Sequence, residues 1–116
     1  MKDLIIEDFA RSWRALDPGP IIFHLSNSFI YHSQWVSEIL DYNGYVDYLR
    51  CKFRILQLHD TGPKVTIVDD DLWGGKMLRL SSEDTTAYFR IMIKGEKVYL
   101  GWLSKIKQLN IDKKRL

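Results

Sequence analysis

His32 is the side chain in this sequence best suited to moving a proton, because it closes the segment Ser28-Phe29-Ile30-Tyr31-His32 with Ser33 and Trp35 just beyond it. Imidazole ordinarily titrates near neutral pH, so a histidine in such surroundings can serve as a general base. A hydrogen-bonded or partly exposed histidine at a strand end fits the same residues. Around it, Trp35, Tyr48, Trp73, Tyr88 and Trp102 could line a cavity, and Tyr31, Tyr48 or Trp35 could position an oxygen. Aromatic rings offer broad apolar surface with one polar handle, which suits ligand binding and core packing alike.

Other chemistries lack their residue patterns. His24, His32 and His59 are too scattered for a zinc-binding helix pair, and Cys51 with His59 does not place two ligands on adjacent turns. Asp69-Asp70-Asp71 begins like a calcium loop, but Trp73 stands where an oxygen ligand is needed and Leu80 where the bidentate glutamate belongs. The acids read instead as a solvated turn, and neither a metal nor a cofactor is expected. Trp73-Gly74-Gly75 lacks the spacing of a phosphate loop. None of Ser33, Ser37, Ser81, Ser82 or Cys51 sits in a G-x-S-x-G elbow.

Seventeen Lys and Arg stand against fifteen Asp and Glu, a net charge of +2 with the two signs interleaved, so a nucleic-acid partner is not expected. Asp3, Glu7 and Asp8 interrupt the start, and apolar runs such as Leu4 to Ile6 span only a few residues, so neither an export signal nor a membrane span is expected. Cys51 has no partner for an intrachain disulfide, and a reducing, cytoplasmic setting is the default reading. The chain has 116 residues, which is room for one core. A single domain over residues 1–109 is expected, with 110–116 a basic tail carrying Lys113, Lys114 and Arg115.

The elements that position these residues follow from periodicity. Ile5, Phe9, Trp13 and Leu16 share one helical stripe, which Asp17-Pro18-Gly19-Pro20 ends. Ile21 to Leu25 fits a turn or two of helix with a proline in its first turn. Ser28 to His32 reads as a strand, and Gln34 to Leu40 as its return. After Asp41-Tyr42-Asn43-Gly44, Val46, Leu49, Phe53 and Leu56 define a second amphipathic helix that ends before Thr61-Gly62-Pro63. Four strands follow, at Val65 to Val68, Lys76 to Leu80, Thr85 to Ile93 and Val98 to Leu103. The last two form a hairpin across Lys94-Gly95-Glu96-Lys97. Alternation puts Ala87, Phe89, Ile91 and Ile93 on one face. Thr86, Tyr88, Arg90 and Met92 take the other, where solvent or a dimer interface would meet Tyr88 and Arg90. Trp102 is expected to point inward with Val98 and Leu100.

Helices followed by a strand meander indicate an α+β domain. Three segments sharpen this: Ser28-Phe29-Ile30-Tyr31-His32-Ser33-Gln34-Trp35, the helix Tyr45-Val46-Asp47-Tyr48-Leu49-Arg50-Cys51-Lys52-Phe53, and the hairpin ending Gly95-Glu96-Lys97-Val98-Tyr99-Leu100-Gly101-Trp102-Leu103. In order and type these resemble the nuclear transport factor 2-like superfamily, which includes the SnoaL-like polyketide cyclases and many small bacterial proteins of unknown role. The resemblance implies a cystatin-like, strongly curved antiparallel sheet wrapped around N-terminal helices, with a cone-shaped pocket at its wide end. It implies a homodimer through the outer sheet face. It also implies an apolar aromatic pocket for a small hydrophobic ligand, with Tyr31, Trp35, Tyr48, Trp73 and Trp102 as candidate ligand-binding residues. Two other expectations stand beside that one: a cofactor-independent isomerase, dehydratase or cyclase with His32 as base, and a non-catalytic dimerisation or protein-interaction module. Fold alone does not choose among them.

Overall fold

A computed structural model describes residues 2–34 and 39–105. The chain opens with α1 (Lys2–Ala15), α2 (Gly19–His24) and β1 (Leu25–Ser33), continues through α3 (Tyr42–His59), and closes with β2 (Lys64–Asp69), β3 (Lys76–Ser81), β4 (Thr86–Lys94) and β5 (Lys97–Ser104). These are the elements that the apolar spacing predicts. Of the proposed return strand at Gln34 to Leu40, residues 35–38 lie outside the described residues. Leu40 does pair antiparallel with Tyr31 through backbone bonds of 2.8 and 3.1 Å. Trp35, a candidate site residue, and the tail at 110–116 also lie outside the described residues.

Local chemistry sets the element ends. The Asp41 carboxylate accepts the Gly44 amide at 2.9 Å and caps α3, satisfying one of the amides that a helix start leaves unpaired. α3 ends where Asp60 turns left-handed at φ 52°. Pro20 sits in the first turn of α2, where its missing N–H is no loss. α2 is tethered by His24 to Asp8 of α1 at 2.7 Å, and by Lys97, which donates to the Phe23 carbonyl at 2.7 Å.

The five strands form one curved, unclosed sheet in the order β1-β5-β4-β3-β2. Every neighbouring pair is antiparallel except β1 with β5, which is parallel, a departure from the wholly antiparallel expectation. Parallel neighbours need a long crossover, and the stretch from α3 to β4 supplies it.

Helices α1 and α3 cover one face of the sheet. There Phe9 stacks on Phe89 at 5.8 Å between ring centres, Trp13 meets Phe53 edge-on at 4.7 Å, and Tyr45 lies 4.6 Å from Tyr31. Ile6, Ala10, Ile21, Phe29, Leu49, Leu78 and Ile91 complete the buried apolar core. Gly101 is required by this packing: a Cβ there would stand 2.9 Å from Cζ of Phe89 and 3.1 Å from Cζ of Phe29.

Two readings of the strands are corrected. Ile93 pairs with Val98 but Met92 pairs with Leu100, so Tyr99 is an extra residue in β5, a β-bulge. A single added residue inverts every later side chain. Trp102 therefore faces outward, in line with its partners Arg90 and His32, and not inward with Val98. Arg90 is the second correction. It is 1% exposed, and its Nε donates to the Asp70 carboxylate at 3.0 Å. The same carboxylate oxygen accepts the amides of Leu72 and Trp73, each at 3.0 Å, so the turn read as solvated is instead folded around one buried acid.

Candidate functional site

The curvature of the sheet leaves a cleft of about 430 Å³ between its inner face, the C-terminal end of α1 and the side of α3 that carries Tyr48, Lys52 and Leu56. Its walls include Trp13 from α1, Tyr48, Lys52 and Leu56 from α3, and Ser33 and Leu80 from the sheet. The helical members lie one turn apart on α3, and the strand members share a face because Ser33 pairs with Leu103, which pairs with Phe89, and Leu80 pairs with Ala87. A wider depression of about 650 Å³ runs along α1 past Leu4, Glu7, Arg11 and Ile67. Within it Asp8 binds both Arg11 at 2.9 Å and His24 at 2.7 Å.

Three hydroxyls meet at the back of the cleft. Tyr31 is hydrogen-bonded to Ser33 and to Tyr48, and its ring lies 5.8 Å from that of Tyr48. Burial, with the neighbouring Tyr48 second, pushes the Tyr31 hydroxyl far above the ordinary tyrosine range. Burial likewise raises Tyr45, with Tyr31 and Tyr48 adding to it. Tyr48 is raised by burial, and its bond with Tyr31 opposes the rise. These groups therefore stay protonated at neutral pH and act as hydrogen-bond donors, not as bases. Trp13 also belongs to the cleft wall, and its indole N–H is buried and has no acceptor among the described residues.

The candidate residues divide between two faces. Tyr31 and Tyr48 belong to the cleft side, Tyr31 being 2% exposed and part of the core. His32, its neighbour in an alternating strand, is exposed on the opposite side. There it joins Trp73, Leu100 and Trp102 around a shallow depression of about 300 Å³, with the two indoles 5.6 Å apart. No carboxylate or tyrosine is among the described residues lining that depression. The sheet thus separates His32 from the hydroxyls that the proton-transfer expectation sets beside it.

Some site members were not singled out by sequence. Trp13 belongs visibly to a buried helical stripe, yet nothing in the stripe tells that its N–H goes unpaired. Ser33 and Lys52 were visible only as a strand-end hydroxyl and a polar-face cation. Among the described residues no cluster of three His, Cys, Asp or Glu could hold a metal ion, and no helix is long and apolar enough to cross a membrane.

No family model matches the sequence, and no curated protein matches it. Solved structures match its fold. One, from Kribbella flavida DSM 17836, gives a TM-score of 0.62 at 13% identity over 85% of this chain and 81% of that one. An NTF2-like protein of unknown function from Cytophaga hutchinsonii ATCC 33406 gives 0.58 at 8% identity, over 85% and 84%. An LEH-like epoxide hydrolase of M. tuberculosis gives 0.58 at 15% identity, over 86% and 78%. The chain has the nuclear transport factor 2-like fold, as its sequence pattern suggested.

Proposed function

We propose that this nuclear transport factor 2-like domain binds a small, partly apolar molecule in the cleft between α1, α3 and the inner face of the sheet. The observation that carries the reading is the cleft itself, a space of about 430 Å³ with apolar walls and a small set of polar groups at its back. That size falls within the range of about 300–1,000 Å³ typical of small-molecule sites. Protonated Tyr48 orients an acceptor on the ligand, while Leu56, Leu80 and Leu103 take its apolar body. Mass spectrometry of molecules that copurify, followed by thermal denaturation with those molecules added back, tests this. A ligand at a hundredfold its dissociation constant stabilises the native state by about 2.7 kcal/mol. Leu56→Trp, which fills the mouth of the cleft from the half-exposed side of α3, should abolish the response. An unchanged response in that folded variant would refute the cleft as the binding site.

A second reading concerns the outer face. Trp73, Leu100 and Trp102 gather there around His32, and large half-buried rings in one patch are what a protein interface uses. We propose that a second copy of the chain covers this face. Light scattering should then find a dimer that Trp102→Glu converts to a monomer, and a wild-type monomer at high concentration would dismiss the idea.

A further inference from the structure

We propose that the C-terminal segment of this chain is itself an occupant of the cleft, with Leu109 and Ile111 against its apolar wall, and that a ligand gains entry by displacing it. The inference rests on the reading of the cleft as a binding site and adds how access to that site is controlled. The chain leaves the described residues at the cleft. Leu103 of β5 and its pairing partner Ser33, at the end of β1, both line the wall. The exit is anchored there: the Gln34 amide donates to the Leu103 carbonyl at 3.1 Å, and the Lys105 amide donates to the Gln34 side chain. Residue 106 therefore starts beside the cleft and not across the molecule from it.

The sequence beyond that point matches the cleft in character. Ile106, Leu109 and Ile111 are its first apolar residues, and Lys113, Lys114 and Arg115 follow them. An extended chain advances about 3.3 Å per residue, so the stretch from Lys105 to Ile111 reaches about 20 Å, while the whole molecule measures 27 Å along its shortest axis. A cleft whose wall begins at Leu103 lies within that reach. The wall offers half-buried Leu56, Pro63 and Leu103 beside Leu80 and Ala87, and taking such surface out of water is favourable. Charge supports the direction of the segment. Between the wall residues Ser82 and Thr85, the turn from β3 to β4 carries Glu83 and Asp84, both exposed. Neither forms an ion pair among the described residues, so the cations at 113–115 find acids at the rim. Lys52 in the wall and Lys64 beside Pro63 oppose them, so the apolar pair, with charge second, holds the segment. A molecule that binds only the open cleft then has its apparent affinity reduced by the fraction of protein in which the cleft is open.

Methyl-methyl NOE spectra of the full chain, read with a fluorescence titration by the neutral apolar probe N-phenyl-1-naphthylamine, test this. NOEs should join Leu109 and Ile111 to Leu56, Leu80 or Leu103. The full-length double variant Leu109→Asp/Ile111→Asp should lose them and bind the probe about tenfold more tightly, as follows if the segment fills the cleft in about nine-tenths of the free protein. Circular dichroism should match the wild type, since the substituted residues lie outside the core. Absence of these NOEs in the wild type, or equal affinity of the two proteins for the probe, would overturn the inference. NOEs found only between differently labelled copies would also overturn it, by assigning the segment to a second molecule. The cleft reading itself falls by a different result, the unaltered response of the Leu56→Trp protein to its copurifying ligand.

Discussion

Replacing Asp70 by Asn should be among the most damaging single changes in this protein, although the residue sits in an otherwise exposed turn. The side chains of Asp70 and Arg90 are 0% and 1% exposed, and they meet at 3.0 Å. An asparagine carbonyl can still accept the amides of Leu72 and Trp73, so the turn keeps its bonds and what is lost is the charge that balances a buried guanidinium. Breaking a buried pair from one side costs about 3–5 kcal/mol, against a total stability of about 5–15 kcal/mol for a domain. Arg90→Met leaves the carboxylate its two backbone donors, and its loss should be smaller, about 2–3 kcal/mol. Because the double variant no longer buries an uncompensated cation, it should lose about 2 kcal/mol less than the two single losses added together, which is the coupling energy of the pair. Urea unfolding followed by far-ultraviolet circular dichroism at neutral pH measures all four proteins. Near-ultraviolet spectra should also change, since the Asp70 turn carries Trp73 onto Trp102. Losses below about 1 kcal/mol in both single variants, or strict additivity, would show that the pair is not isolated from water and refute the argument.

Gly101→Ala should destabilise the fold by about 1–3 kcal/mol, because the added methyl meets Phe89 and Phe29 at 2.9 and 3.1 Å and neither ring has room to move in a packed core. A urea midpoint equal to wild type would contradict that contact. Alkaline pH should also weaken the protein. Tyr31 and Tyr45 hold their protons in the folded state because burial raises both. Their contribution is complete below the ordinary tyrosine pKa of about 10. Above that value the unfolded chain ionises first, and stability falls by about 1.4 kcal/mol per pH unit for each residue. Unfolding measured from about pH 9 to 11 should show this slope, and Tyr31→Phe should lessen it by one residue's share. An unchanged slope in Tyr31→Phe would mean that its hydroxyl is not held protonated by burial.

Periodic patterns made much of the architecture legible. The stripe of Ile5, Phe9 and Trp13, the stripe of Val46, Leu49 and Phe53, and the alternation of Ala87, Phe89 and Ile91 each record a face that must leave water, and that requirement acts locally along the chain. Helix ends were legible for the same reason, since Asp41 and Pro20 act on backbone groups within a turn of themselves. Tertiary structure alone decided which residues of similar local character do different work. Asp69, Asp70 and Asp71 are the same residue type in one run, yet only the middle one meets Arg90, because the partner arrives from a strand twenty residues away. Trp102 was misplaced because one bulged residue at Tyr99 inverts the strand beyond it, and nothing in the alternation of β5 marks the extra residue. The division of His32 from Tyr48 has the same origin. Neighbouring positions in a strand face opposite sides, and which side becomes a cleft is settled by where the helices lie.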